Sequence, residues 1–521
     1  MQRDLTRMAA SPFDVLVIGA GIHGACAARD AALRGLRVAL VERGDFGGET
    51  SHNSLKTVHG GIRYIQHLNF ARTRASIREQ TVWLRTAPHL VRPLPFLMPT
   101  FGHGMRGPGA MFAGVQLYRM LGLGRNGGLG AASRIRPGRV MGPAAARAIV
   151  GEIPGDGLTG AALWDDAQIR FADRAILEIL GDAVAHGAQV ANHAEVTDLL
   201  QEGGRVTGGT VQDRLTGETH EIAGRVVLNA AGPWVGDLAG DLPGHGARLP
   251  LTRSMNIVTR RPARDVALSI QSNRASDSKL GQTKRLYFEI PWEGCAMFGT
   301  THAPAGDGPD TVATQQAEIA TFIAELNAAW PGLDLELEDV TYCYRGLTPA
   351  EDAKGGQSRS HESRIIDHGA RGGLQGLWSI IGVKWTTGRL IAVQAVDAAA
   401  AALGHGTPGR THEAALPPLP DMTYEMAGKS PDAIRQICLA HMERTQTLTL
   451  RDMLLRRTDD LVRGHLQARD VAIVAHTMRA HLGWTPEACA RQTALMLDRW
   501  LPAATRQIFK APDLFESTSH D

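Results

Sequence analysis

The chain is poor in cysteine, has no long hydrophobic run and carries almost no net charge. Its five cysteines, Cys26, Cys295, Cys343, Cys438 and Cys489, are odd in number, scattered and never in a CxxC pair. That excludes a disulfide framework and a thiolate zinc site, and makes a reducing compartment the default. No stretch approaches the ~20 apolar residues that span a bilayer. The first apolar run, residues 15–18, is halted by glycine before it can act as a signal-peptide core. A cytoplasmic location is expected, with peripheral attachment at the inner membrane face left open, because amphipathic surface helices need no long apolar run. The 55 basic and 53 acidic residues leave +2, so bulk electrostatics bring no nucleic acid. The twenty histidines, His361 and His368 among them, form no HExxH pattern, and no metal is expected.

What is present is a large globular chain: 521 residues, 43% hydrophobic and 21% charged, enough for two to four packed units. Residues 14–42 read as strand, glycine turn, helix and second strand, with apolar tetrads suited to a parallel sheet buried on both faces. Strand-like runs at 225–231 and 377–381 each lead into glycine, so the first domain is expected to be discontinuous, built from 11–95, 160–240 and 350–405. A glycine-rich stretch, 102–130, and a segment of alternating character, 249–301, lie between these pieces. The second reads as antiparallel strands, and 96–159 with 241–349 are assigned to a substrate-facing domain. The proline-rich segment 406–421 reads as a linker to a C-terminal helical domain, 422–521. There Thr449 and Asp452 have capping-box spacing, placing Leu450, Leu454 and Leu461 on one helix face. Thr485 and Pro486 suit the N-cap and first position of a helix ending near Trp500. The fold class is α/β with a helical tail.

The spacing Gly19-x-Gly21-x-x-Gly24 between strand and helix has a mechanical reason. Gly19 permits a tight turn, Gly21 lets backbone approach a pyrophosphate, and Gly24 lets the helix pack on the strand. The helix N-terminus then offers amide donors to the phosphates. Glu42 ends the second strand 18 residues beyond Gly24, where its carboxylate can accept from a ribose diol, which favours FAD or NAD over NADP.

The next segment decides between flavin and nicotinamide. It runs Thr50-Ser51, Ser54-Leu-Lys56 and His59-Gly60-Gly61-Ile-Arg63-Tyr64, and there the chain strongly resembles the FAD-dependent glycerol-3-phosphate dehydrogenases of the amino-acid-oxidase-like flavoenzymes. The resemblance continues through Trp164-Asp-Asp-Ala167, Asn229-Ala-Ala-Gly-Pro-Trp234, Gly299-Thr-Thr301, Gly382-Val-Lys384 and Leu455-Arg-Arg-Thr458. It implies a Rossmann-like FAD-binding domain beside an antiparallel substrate domain. The implied reaction moves a hydride from C2 of sn-glycerol 3-phosphate to flavin N5, giving dihydroxyacetone phosphate, with electrons passed to quinone or oxygen. A homodimer is expected.

By position in that pattern, Arg43, Thr50, Ser51, Ser54, Lys56, Gly60, Gly61, Val196, Ala231, Gly232, Trp234, Gly382, Val383 and Thr386 join Gly19, Gly21, Gly24 and Glu42 as cofactor contacts. Lys384, Arg63, Tyr64 and His59 are implied as catalytic, with Arg253, Asn256, Arg345 and Thr348 facing the substrate. Two positions depart from the family: Asn256 stands where members usually carry histidine, and Thr348 where they carry arginine. Asparagine cannot titrate, so His302 or His59 is the candidate replacement base. Alternatives are an amine or amino-acid oxidase of the same superfamily, or a non-catalytic FAD-binding scaffold. Gly428-Lys429-Ser430 lacks the earlier glycine of a phosphate loop. Arg456-Arg457 reads as a solvated helix face. The stretch 102–130 reads either as a lid or membrane-contacting loop, or as packed structure.

Overall fold

The computed structural model describes residues 1–104, 107–154, 157–239, 249–278, 281–305, 316–350 and 362–516; His361 lies outside them. The strand Phe13–Ile18 is parallel to Val38–Val41 on one side and Thr219–Asn229 on the other. Gln189–Ala191 continues the sheet beyond Val38–Val41, and Leu377–Ile381 extends it beyond Thr219–Asn229, both in parallel. Arg364–Asp367 closes that edge antiparallel. The central side chains Val15, Leu16, Val17, Val38, Ala39 and Leu40 are fully buried because helices cover one face and a hairpin the other. Helices Ile22–Leu33, Ala172–Ala185 and Gly388–Ala402 pack together on the first face. The hairpin Ala194–Glu202 and Arg205–Asp213 pairs with the start of Thr219–Asn229.

The second sheet runs in the order Val340–Pro349, Leu251–Pro262, Cys295–Pro304, Gly281–Trp292, Ala267–Ser278, Val91–Phe101, Leu158–Ile169, Thr57–Val58. All neighbours are antiparallel except Ala267–Ser278 with Val91–Phe101, as the alternation over 249–301 leads one to expect. Val91–Phe101 and Leu158–Ile169 cross the expected domain limits at 95/96 and 159/160, and both belong wholly to this sheet. They pair with each other over their full lengths, and ladder hydrogen bonds of that extent outweigh the local composition on which the limits were drawn.

No helix or strand occurs from 403 to 430. In the tail, Thr449 and Asp452 form the capping box: Asp452 N donates to Thr449 Oγ1 at 3.1 Å, and Thr449 N donates to Asp452 Oδ2 at 2.9 Å. The helix it opens does not reach Leu461. It widens into a π-helical turn, Met453–Arg457, and stops at extended Thr458. Leu450, Leu454 and Leu461 are nonetheless buried together. Thr485 caps Pro486–Leu497 by accepting from Ala488 N at 3.2 Å. The stretch 102–130 contains the helix Pro108–Leu121, whose Val115 and Tyr118 are buried while Phe112 and Met120 are exposed.

A Cβ added to Gly24 would lie 1.8 Å from Gly19 O, so no rotamer change can accommodate one. Gly24→Ala is expected to destabilise the fold by about 1–3 kcal/mol in denaturant melts, because strand and helix must separate; unchanged stability would show that the helix docks by other means.

Candidate active site

The turn after Phe13–Ile18 is made by Gly19 at φ +94°, where a Cβ would also strike Ala230 O at 2.7 Å. Gly21 precedes the helix Ile22–Leu33, and Ile22 N donates to Ser51 Oγ at 2.9 Å. Glu42 is half-buried at the neighbouring strand end, its oxygens accepting from Ala20 N at 2.7 Å and Gly44 N at 2.8 Å. Burial raises its pKa against the pull of those two amides. The Arg43 guanidinium carbon lies over Trp234, 3.8 Å from the ring centre.

From this cradle a cavity of about 1840 Å³ runs between the two sheets. Of the residues expected at the site, Gly19, Gly21, Glu42, Arg43, Thr50, Ser51, Ser54, Gly61, Val196, Ala231, Gly232, Trp234, Gly382, Val383 and Thr386 line it. So do His59, Arg63, Tyr64, Lys384, Asn256 and Thr348. Five expected residues do not. Gly24 packs helix on strand, and the Cβ direction of Gly60 is blocked by Tyr118 Oη. Lys56 is 1% exposed beneath the cavity floor, donating to His52 O at 3.0 Å with its ammonium 4.3 Å from the Tyr344 ring. Arg253 is paired with Glu318. Its strand neighbours Ser254 and Asn256 face the cavity instead, since successive side chains alternate. Arg345 lies short of the cavity, which the same strand reaches only from Leu347 onward, Thr348 included.

The reacting end brings several chain segments together. Tyr64 belongs to the 3₁₀ turn Ile62–His67, and its ring has Arg72 at 4.0 Å and Lys384 Nζ at 4.6 Å, with the His59 ring 5.8 Å away. Lys384 follows Leu377–Ile381 and donates to Ser76 Oγ at 3.3 Å. Burial, reinforced by Arg72, lowers its pKa to about 7, which brings the free amine within reach at neutral pH. Asp166 projects from Leu158–Ile169 and accepts from Gly60 N, from Gln80 Nε2 at 2.7 Å and from Trp164 Nε1 at 3.3 Å. On the opposite wall Asn256 Oδ1 accepts from Thr300 Oγ1 at 2.7 Å, and Ser254 Oγ lies 2.9 Å from His302 Nδ1.

Sequence reasoning passed over Arg72, Asp166 and His23. Asp166 lay inside the Trp164-Asp-Asp-Ala167 motif, a signal available but unread; Arg72 had none, being one of several arginines on the helix Phe70–Thr86. His23 lines the cavity with its ring stacked on Gly382, where an added Cβ would come within 2.0 Å of Cε1. Its Nε2 is buried with no hydrogen-bond partner among the described residues, and burial lowers the imidazole pKa to about 4. A side-chain-free cradle, a helix N-terminus, a ribose-height carboxylate and an orphaned neutral imidazole on one long cavity fit a flavin dinucleotide.

Residues 14–398 match the family described as FAD dependent oxidoreductase. The glycerol-3-phosphate dehydrogenase of Synechocystis sp. is 31% identical over 433 residues, which cover 82% of this chain and 75% of that protein. That of Mycobacterium leprae is 32% identical over 399 residues, 76% of this chain but only 64% of the mycobacterial protein. The structure of the Bacillus halodurans glycerol-3-phosphate dehydrogenase complexed with FAD superposes with a TM-score of 0.70 at 25% identity, covering 95% of this chain and 96% of that one. The chain belongs to the FAD-dependent oxidoreductases. Within them it groups with the glycerol-3-phosphate dehydrogenases.

Lys384 also marks stability. The unfolded chain keeps this amine protonated to its ordinary value of 10.5, the folded protein only to about 7, so unfolding takes up a proton across that window and stability rises with pH through it. Lys384→Met is expected to raise the melting temperature most below pH 7, the gain fading towards pH 10. A pH-independent difference would show that the amine is not desolvated.

Proposed function

We propose that the chain oxidises sn-glycerol 3-phosphate, or a close polyol phosphate, to dihydroxyacetone phosphate, with FAD as the bound acceptor. The carrying observation is that the dinucleotide cradle and the cationic end at Arg63, Arg72 and Lys384 belong to one continuous cavity. FAD when bound supplies the two-electron acceptor for the hydride leaving C2. The chain's own residues do the rest. Arg63 and Arg72 offer guanidinium donors matched to phosphate oxygens. The free amine of Lys384 takes the proton of the C2 hydroxyl, a role its pKa near neutrality suits. Tyr64, between Lys384 and Arg72, fixes the spacing of these two groups. His302, held by Ser254, and Asn256, held by Thr300, present polar edges to the substrate from the far wall.

The test is a visible spectrum and an anaerobic titration. The purified protein is expected to show flavin absorbance that glycerol 3-phosphate bleaches and amino acids do not; bleaching by an amino acid alone would transfer the chain to the amine oxidases. Dye-coupled kcat/KM is expected to rise with pH through about 7, and Lys384→Met to lose about 10²–10⁴-fold and that limb of the profile.

Electrons then pass to a quinone at a membrane surface. No helix among the described residues is long and apolar enough to cross a membrane. Pro108–Leu121 and the turn after it, however, expose Phe112, Met120 and Leu123 at 55, 64 and 79% beside exposed Arg119, the composition of an interfacial helix. On the same helix Tyr118 presses its hydroxyl against Gly60, between cavity residues His59 and Gly61. Sedimentation with anionic vesicles is expected to carry the protein down, and Phe112→Ser with Leu123→Ser to leave it in the supernatant. Equal pelleting of both would place the contact elsewhere.

A further inference from the structure

A second concentration of buried charge lies between the cofactor loop, residues 45–56, and the C-terminal helices. Asp45, 2% exposed, accepts from Arg456 Nε at 2.6 Å, Arg457 Nη1 at 2.7 Å, Arg457 Nη2 at 2.9 Å and Asn192 Nδ2 at 2.9 Å. The arginines expected on a solvated face are thus 5% and 1% exposed. Both come from the π-helical turn, whose widened geometry lets consecutive guanidiniums reach one carboxylate. Arg456 also binds Phe46 O and lies 3.1 Å from Asp173, which holds His52 Nδ1 at 2.9 Å. Arg457 is tied on its other side to Thr445, at 3.0 Å to Oγ1 and 2.9 Å to the carbonyl.

Asp45, His193 and Asp452 bring potential metal ligands within 4.8 Å of one another. Asp45 is already engaged by two guanidiniums and an amide, and Asp452 by the amides of Leu448 and Thr449, so the group reads as an ion-pair cluster. Between its anchors, at Asp45 with Phe46 and at His52, the loop presents Gly47, Gly48, Thr50 and Ser51 to the cavity. Ser51 meets the helix N-terminus and Thr50 donates to Leu347 O at 2.7 Å.

We propose that Arg456 and Arg457 are positioning residues for the flavin: through Asp45 and Asp173 they hold the 45–56 loop in its cofactor-binding shape, making the C-terminal unit part of the FAD site without touching it. The proposal rests on the FAD reading. Removing one partner leaves a buried charge uncompensated, and the loop relaxes to relieve it. Since the bound cofactor favours the ordered loop, cluster and FAD stabilise each other by the same factor.

The experiment measures FAD affinity of apoprotein by flavin fluorescence in Arg457→Leu, Arg456→Gln and Asp45→Asn, with Arg457→Lys as the conservative variant. FAD binding is expected to weaken roughly tenfold or more in the first three and less in Arg457→Lys, with kcat at saturating FAD within about threefold of the unaltered enzyme. Asp45→Asn combined with Arg457→Leu is expected to cost less than the sum of the single changes. FAD affinity within about twofold in folded variants whose melting temperature has fallen overturns the proposal, showing a cluster that stabilises without positioning. If Arg457→Leu does not fold, Arg457→Lys and Asp45→Asn carry the same comparison. Unaltered protein that takes up no FAD would instead fail the functional reading itself.

Discussion

Everything at the site depends on how closely backbone approaches backbone where the first strand gives way to the first helix. Gly24 lies against Gly19, and Gly19 against Ala230 just past the neighbouring strand Thr219–Asn229, at separations that leave no room for a methyl group. That contact starts the helix at the cavity, where the His23 ring packs against Gly382, two residues before Lys384. A dinucleotide end and a reacting end, contributed by segments far apart in the chain, are held in register by the absence of two side chains.

Around that contact the protein keeps charge in places where water is scarce, and the arrangement sorts the groups by role. Lys384 has cationic and aromatic neighbours and the Ser76 hydroxyl as its hydrogen-bond partner among the described residues, an environment that favours a neutral amine. Asp45 meets two arginines, whose attraction overcomes burial and holds its carboxyl well below the usual range. Desolvation is common to both; the sign and number of partners decide which group can exchange a proton and which stays charged to hold structure.

What could be read beforehand divides along the same line. The strand, glycine turn and helix of 13–33, the capping box at Thr449 and Asp452 and the cap at Thr485 are written in residues a few positions apart, and the sequence spells them out. Lys56 and the pair Arg456-Arg457 were misplaced because the surroundings that bury them are brought from elsewhere in the chain: Asp45 is 411 residues from Arg456. Arg253 failed for a smaller reason, strand parity, which is fixed only once the sheet register is known. The expected domain limits at 95/96 and 159/160 followed composition, whereas the pairing of Val91–Phe101 with Leu158–Ile169 follows hydrogen bonds.

That 411-residue separation also has a temporal meaning. At the usual pace of translation the ribosome needs roughly 20–80 s to travel from the codon for Asp45 to that for Arg456. During this interval the growing polypeptide carries the carboxylate without its guanidinium partners, and the strand Leu377–Ile381 joins the parallel sheet only towards the end of it. The wall of the flavin pocket formed by residues 45–56 is therefore anchored only after Arg456 and Arg457 have been added.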